Sequence, residues 1–203
     1  MISLKYKFVF IHIPKTGGTS VSSVLSKYCE WIERIEERGV SFPRQFHKGI
    51  DTRHWNTRWY SNRWDIRSFY KFTVVRNPWD RMLSYFFMIK KGGFCQNKFK
   101  KFLLSSVGKS PIDTPQGLID QFKMLCLGNI RSGEEMDLVI DFRDLDNGFR
   151  RACEEIGIPQ ETLSHLRKSK HNYYVEYYED RTKKIIEESF QKEIEYFNFK
   201  FGD

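Results

Sequence analysis

Residues 8–25 read FVFIHIPKTGGTSVSSVL, from Phe8 to Leu25. A run of aromatic and β-branched residues breaks at Pro14, passes through Lys-Thr-Gly-Gly-Thr-Ser, and resumes with the spacing of a helix face. The reading is a buried strand, Tyr6 to Ile13, then a turn, then a helix opened by Thr19 or Ser20 and continuing to about Cys29. A helix that starts straight after a strand points the free N–H groups of its first turn outward, and its dipole adds partial positive charge there. Gly17 and Gly18 let the backbone come close to an anion, Lys15 adds a full charge on a flexible stem, and Thr16, Thr19 and Ser20 add hydroxyl donors. Lys15 precedes both glycines, whereas the nucleoside-triphosphate loop GxxxxGK[ST] places its lysine after the last one. The plain structural alternative is a tight turn with a capping threonine.

Outward from that stretch, FYKFTVV (Phe69 to Val75) reads as a second strand closed by Arg76-Asn77, with Pro78 at the first position of a helix over Trp79 to Lys90. Arg76 leaves the carboxyl end of a strand, where open α/β sheets bind ligands, and a guanidinium fork is of a kind that suits a phosphate. Arg81 and Ser84, three residues apart, share a helix face. Alternatively, Arg76 and Arg81 pair with Asp80 or another carboxylate, and Trp79 belongs to the core. Lys91 to Thr114 reads as a mobile or partly helical excursion whose tip is placed to cover a ligand, and Pro115 to Leu127 as a helix. DLVIDF (Asp137 to Phe142) is a short strand, and Asp146 to Ile156 a helix ended by Gly157 and Pro159. A last helix from Asp180 to about Phe197 packs the stripe Ile186, Phe190, Ile194 and Phe197. Strands alternating with helices predict an α/β fold with a central parallel sheet flanked by helices.

The chain has 203 residues, enough for a single domain that buries about 70% of its unfolded surface. Four cysteines, Cys29, Cys95, Cys126 and Cys153, form no CxxC pair or His/Cys cluster, so they are read as reduced thiols of a cytoplasmic protein rather than a zinc site or disulfide framework. The amino-terminal MISLKYKFVFIHI ends at a Pro-Lys turn and is not read as a signal peptide. No apolar run approaches the roughly 18–20 residues needed to span a bilayer. Lys plus Arg number 34 against 26 acidic residues, a net charge of +8 that favours anionic partners without identifying them.

IPKTGGTS together with VVRNPWDRMLSYF (Val74 to Phe86) resembles the two cofactor motifs of sulfotransferases, and specifically the carbohydrate (heparan- and chondroitin-like) family with its small bacterial-type members. FRDL (Phe142 to Leu145) and the stretch from His165 to Phe201 resemble that family's closing segment. The resemblance implies a P-loop-like three-layer fold forming one sulfotransferase domain over residues 1–203. It also implies the donor 3'-phosphoadenosine-5'-phosphosulfate (PAPS), with adenosine 3',5'-bisphosphate as product, and an acceptor hydroxyl of a glycan or small glycoconjugate. Carried over by position, Lys15, Thr16, Gly17, Gly18, Thr19 and Ser20 hold the 5'-phosphosulfate. Arg76 and Ser84 hold the 3'-phosphate, and Arg167 and Lys168 match the basic loop over it.

Sulfuryl transfer needs a base for the acceptor proton and positive charge where the leaving phosphate gains electrons. Lys15 fits the second role. The transferred group carries one negative charge, so no metal is expected. Histidine suits the first role because its pKa lies near neutrality. By family position His47, in QFHKGIDTRHW, is the base, with His54 the runner-up; His12, inside the strand, is read as packing or orienting the loop. The basic and aromatic stretch from Asp51 to Arg67, with Trp55, Trp59 and Trp64, either stacks acceptor sugars or forms an amphipathic helix. Two rivals stand beside this reading. A P-loop kinase or NTPase calls for a Gly-Lys-Ser/Thr run that is missing here, and a basic module for nucleic acid or other polyanions leaves the ordered heptad unexplained. Nucleic acid is therefore not expected as a partner.

Overall fold

The computed structural model describes residues 1–29, 57–89, 93–106, 120–127, 129–130, 132–164 and 171–203. In chain order its elements are β1 (Ile2–Ser3), β2 (Phe8–Ile11), α1 (Gly18–Leu25), α2 (Thr57–Ser61), β3 (Tyr70–Val75), α3 (Pro78–Ile89), α4 (Gln96–Ser106), α5 (Gln121–Met124), β4 (Leu138–Asp141), α6 (Leu145–Ile156), α7 (Asp180–Ser189) and α8 (Gln191–Phe197). They fall into two compact units that the chain enters alternately: Met1–Val75 with Lys123–Leu166, and Arg76–Phe122 with Arg167–Asp203.

The first unit is mixed α/β around a four-stranded, mostly parallel sheet in the order β1-β2-β3-β4. β2 and β3 run parallel from Phe8↔Tyr70 to Ile11↔Thr73, and β3 and β4 from Phe72↔Leu138 to Val75↔Asp141. The parallel sheet read from the sequence gains an antiparallel edge, because β1 pairs with β2 through Ile2↔Val9. A reversal of a few residues suffices for an antiparallel pair, and Lys7 makes it with φ 49. Every residue of β2 is buried, as its unbroken apolar run requires. On one face of the sheet Phe8, Phe10, Phe72, Val74 and Ile140 pack with Val21, Val24 and Leu25 of α1 and with Leu145, Phe149 and Ile156 of α6. Gly148 lets α6 lie on β4, since a Cβ there would come within 2.3 Å of Ile140 Cγ2. Gly157 closes α6 in the left-handed conformation, φ 69.

The second unit is helical with an aromatic centre. Phe86 of α3 stands 5.1 Å from Phe99 and 5.4 Å from Phe102 of α4, and Phe99 lies edge-on to Tyr178 at 5.1 Å. The excursion expected over residues 91–114 therefore contains a regular helix, because Phe99, Phe102 and Leu103 share the buried face of α4. Its expected tip lies outside the described residues. Of the helix expected over residues 115–127, the described part is the single turn α5. The last helix also differs from its reading. The backbone at Phe190, φ −118 and ψ 23, breaks it into α7 and α8. Ile186 and Phe190 stay buried, but the break shifts the phase so that Glu193 is fully buried while Ile194 and Phe197 are only partly covered.

Candidate active site

The loop from His12 to Gly17 leaves the carboxyl end of β2 and delivers the chain into α1. Lys15 has φ 69, which for a side-chain-bearing residue costs about 1–2 kcal/mol. Gly17, at φ 83, is the residue before the helix, and no acidic residue occupies the first turn. A Cβ on Gly17 would sit 2.9 Å from both Leu145 Cδ2 and Phe142 Cε2, so the FRDL stretch closes against this glycine. Gly18 is more tightly confined, since its Cβ would overlap the His12 ring at 2.2 Å. That ring is buried, stacks on Phe10 at 5.8 Å, and places Nδ1 3.2 Å from Ser22 Oγ. His12 thus supports the loop from beneath. Thr16 is fully buried and its hydroxyl donates to the Ile13 carbonyl at 2.9 Å, which ties the turn to its own strand. Lys15, Gly17 and Thr19 are partly exposed, whereas Gly18 and Ser20 are buried.

In the second unit Arg76 is the first residue after β3. Its Nε and Nη2 donate to Asp80 Oδ2 and Oδ1 at 2.7 and 2.8 Å, a bidentate grip on the first turn of α3. Asp80 and Ser84 are one turn apart on α3, and Ser84 is buried. The Arg76 backbone is gripped as well: its N–H donates to Gln121 Oε1 and its carbonyl accepts from Gln121 Nε2, both at 2.9 Å. Gln121 in turn donates to Glu193, from its backbone N–H at 2.7 Å and from Nε2 at 3.0 Å. Arg81 Nη2 lies 3.9 Å from Glu193 Oε1. Burial raises the Glu193 carboxyl from 4.5 to about 7, outweighing the opposite pull of Arg81. Asn77 donates to the Lys200 carbonyl at 2.8 Å, and the Trp79 carbonyl accepts from Tyr178 at 2.8 Å. Trp79 is core, as read.

Residues 1–200 match the model of the sulfotransferase family. The chain belongs to the sulfotransferase family. No curated protein and no solved structure gives a significant match. The sulfotransferase is accordingly a transferase that moves sulfuryl groups. Of its expected site residues, the structure gathers Lys15, Thr16, Gly17, Gly18, Thr19 and Ser20 into one turn, and sets Arg76 and Ser84 around the start of α3. His47, His54, Arg167 and Lys168 lie outside the described residues.

The described part of the tryptophan-rich stretch leads into the amino end of β3. There a cavity of about 500 Å³ in the sulfotransferase is lined by Ser61, Arg63, Trp64, Arg67, Ser132 and Glu134. The loop from His12 to Gly17 leaves the opposite, carboxyl end of β2, which runs parallel to β3. Arg67 pairs there with Asp65 at 2.7 Å, and Arg58 with Glu134 at 3.2 Å. Sequence reasoning missed Gln121 and Glu193. Neither belongs to a motif, and Glu193 reads as the polar side of an amphipathic helix until the break at Phe190 turns it inward. Among the described residues, no helix is long and apolar enough to cross a membrane.

Proposed function

We propose that this sulfotransferase takes its sulfuryl group from PAPS and places it on a carbohydrate hydroxyl, with residues 1–203 acting as one catalytic domain. The turn from β2 into α1 carries the reading. Two glycines are pressed against His12, Phe142 and Leu145, the helix start holds no acidic residue, and Lys15 stands beside it. Such a helix start presents backbone donors and partial positive charge to an anion. The donor set suits the phosphosulfate, with Lys15 and residues Thr16 to Ser20 around it, Thr16 through its backbone because its hydroxyl is held by Ile13. Arg76 and Ser84, with Arg167 and Lys168, take the 3'-phosphate. The Arg76 fork is paired with Asp80, the carboxylate alternative read from the sequence, so the 3'-phosphate takes the fork only by displacing or sharing with that carboxylate.

Bound PAPS supplies the sulfuryl group, with adenosine 3',5'-bisphosphate as its leaving group. Lys15 then stabilises the negative charge that develops on the leaving phosphate oxygen. His47 accepts the proton of the acceptor hydroxyl, a role worth about 10²- to 10⁴-fold in rate. The carbohydrate acceptor rests on the resemblance of the two motifs to the heparan- and chondroitin-type enzymes.

The test is thermal stabilisation by adenosine 3',5'-bisphosphate, AMP and ATP, without metal and again with magnesium. The bisphosphate is expected to raise Tm selectively, whereas stabilisation by magnesium-ATP alone would point to a kinase-like enzyme instead. Lys15→Ala is expected to abolish turnover of PAPS, and His47→Ala to abolish it while leaving bisphosphate affinity nearly unchanged.

A further inference from the structure

Arg76 lies beyond the last rung of the parallel ladder, since β3 pairs no further than Thr73↔Ile11 on one side and Val75↔Asp141 on the other. Its backbone N–H and C=O therefore need partners outside the sheet. One side chain supplies both. The carboxamide of Gln121 accepts from the Arg76 N–H and donates to the Arg76 carbonyl, each at 2.9 Å, and so stands in for the missing rung. These contacts fix which end of the amide is oxygen, because a backbone N–H only donates and a carbonyl only accepts. The second hydrogen of Nε2 goes to Glu193 Oε1 at 3.0 Å, and the Gln121 backbone N–H to Glu193 Oε2 at 2.7 Å. Both oxygens of a fully buried carboxylate thus accept from one glutamine, with Oε1 also 3.9 Å from the buried Arg81 Nη2, and Gln121 is itself fully buried.

A buried carboxylate is a costly way to fill space, and an apolar residue of the same volume often serves stability as well or better. What the carboxylate does supply is direction. With Glu193 behind it Gln121 has one orientation, and with Gln121 beside it Arg76 has one backbone plane. We infer that Gln121 is a positioning residue for Arg76, oriented by Glu193, and that together they set the arginine's affinity for the 3'-phosphate of the nucleotide. The inference rests on the donor reading above, and it assigns residues that touch neither the nucleotide nor the acceptor.

The experiment measures dissociation constants of adenosine 3',5'-bisphosphate and AMP for the wild type, Gln121→Leu, Arg76→Ala and the double variant. Gln121→Leu is expected to weaken bisphosphate binding about tenfold or more while leaving AMP binding unchanged, because only the bisphosphate uses Arg76. In the Arg76→Ala background the same substitution is expected to add nothing, the non-additivity of residues acting through one contact. A merely structural role would weaken both ligands and add to the effect of Arg76→Ala. Glu193→Gln, which keeps the volume but offers one acceptor oxygen to two donors, is expected to act in the same direction and serves if Gln121→Leu does not fold. An unchanged preference for the bisphosphate in folded Gln121→Leu, or in folded Glu193→Gln should the first variant not fold, overturns the positioning role alone. A wild type that does not prefer the bisphosphate over AMP overturns the donor reading and this inference with it.

Discussion

Gly18 and His12 are six residues apart in sequence and in van der Waals contact in the fold, and their contact decides the shape of the loop. A methyl group at Gly18 would need the imidazole to leave its place beneath the turn. Overpacking of this kind costs about 1–3 kcal/mol, so Gly18→Ala is expected to lower the unfolding midpoint, measured by denaturant titration. Adding His12→Ala should recover part of that loss by making room for the methyl group, and an unchanged midpoint in Gly18→Ala would show that the loop is not packed this way. The glycine pair was readable as a place of close approach. The identity of what approaches was not, because a strand residue of alternating direction can serve the core or the site, and only its neighbours decide which. Thr16 shows the same limit: its hydroxyl reads as a ligand donor, yet the folded turn directs it to Ile13.

At the scale of elements, the break between α7 and α8 turns a predicted apolar stripe into a buried charge. The periodicity of Ile186, Phe190, Ile194 and Phe197 holds only while the helix is continuous. The non-helical backbone at Phe190 rotates α8 relative to α7, and Glu193 comes inward to meet Gln121 and Arg81. With its carboxyl raised from 4.5 to about 7, the folded state holds a proton that the unfolded chain gives up at lower pH. This contribution to stability is fully present below about 4.5, declines as pH rises and is lost above about 7, on the order of 3 kcal/mol in all. The buried Met1 amine, drawn down to about 5 by burial, runs the other way, so the quantity to read is the Tm of Glu193→Gln minus that of the wild type. This difference is expected to move in favour of the variant as pH rises from 5 to 8. A difference independent of pH would mean that Glu193 does not titrate in this range.

For the whole molecule, a net charge of +8 acts at a distance on whatever anion it meets. If the acceptor is a uronate-bearing or already sulfated glycan, its KM is expected to rise with ionic strength as charges are screened beyond about 10 Å. The KM of a neutral sugar acceptor should stay level, and equal salt dependence for the two would assign the charge no part in acceptor choice. The α/β class, β2, β3, β4 and the Gly-Gly turn from β2 into α1 were all legible in the chain, since strand and helix periods and the Gly-Gly break are local properties of consecutive residues. Membership of the sulfotransferase family is a property of the sequence too, for residues 1–200 carry it without reference to shape. The antiparallel β1, the His12 platform beneath Gly18, the split of the last helix, and the clamp from Glu193 through Gln121 to Arg76 were decided by tertiary structure. Each depends on a steric or hydrogen-bonding demand made by one part of the chain on another, such as the backbone of Arg76, beyond the end of a ladder, met by an amide 45 residues away.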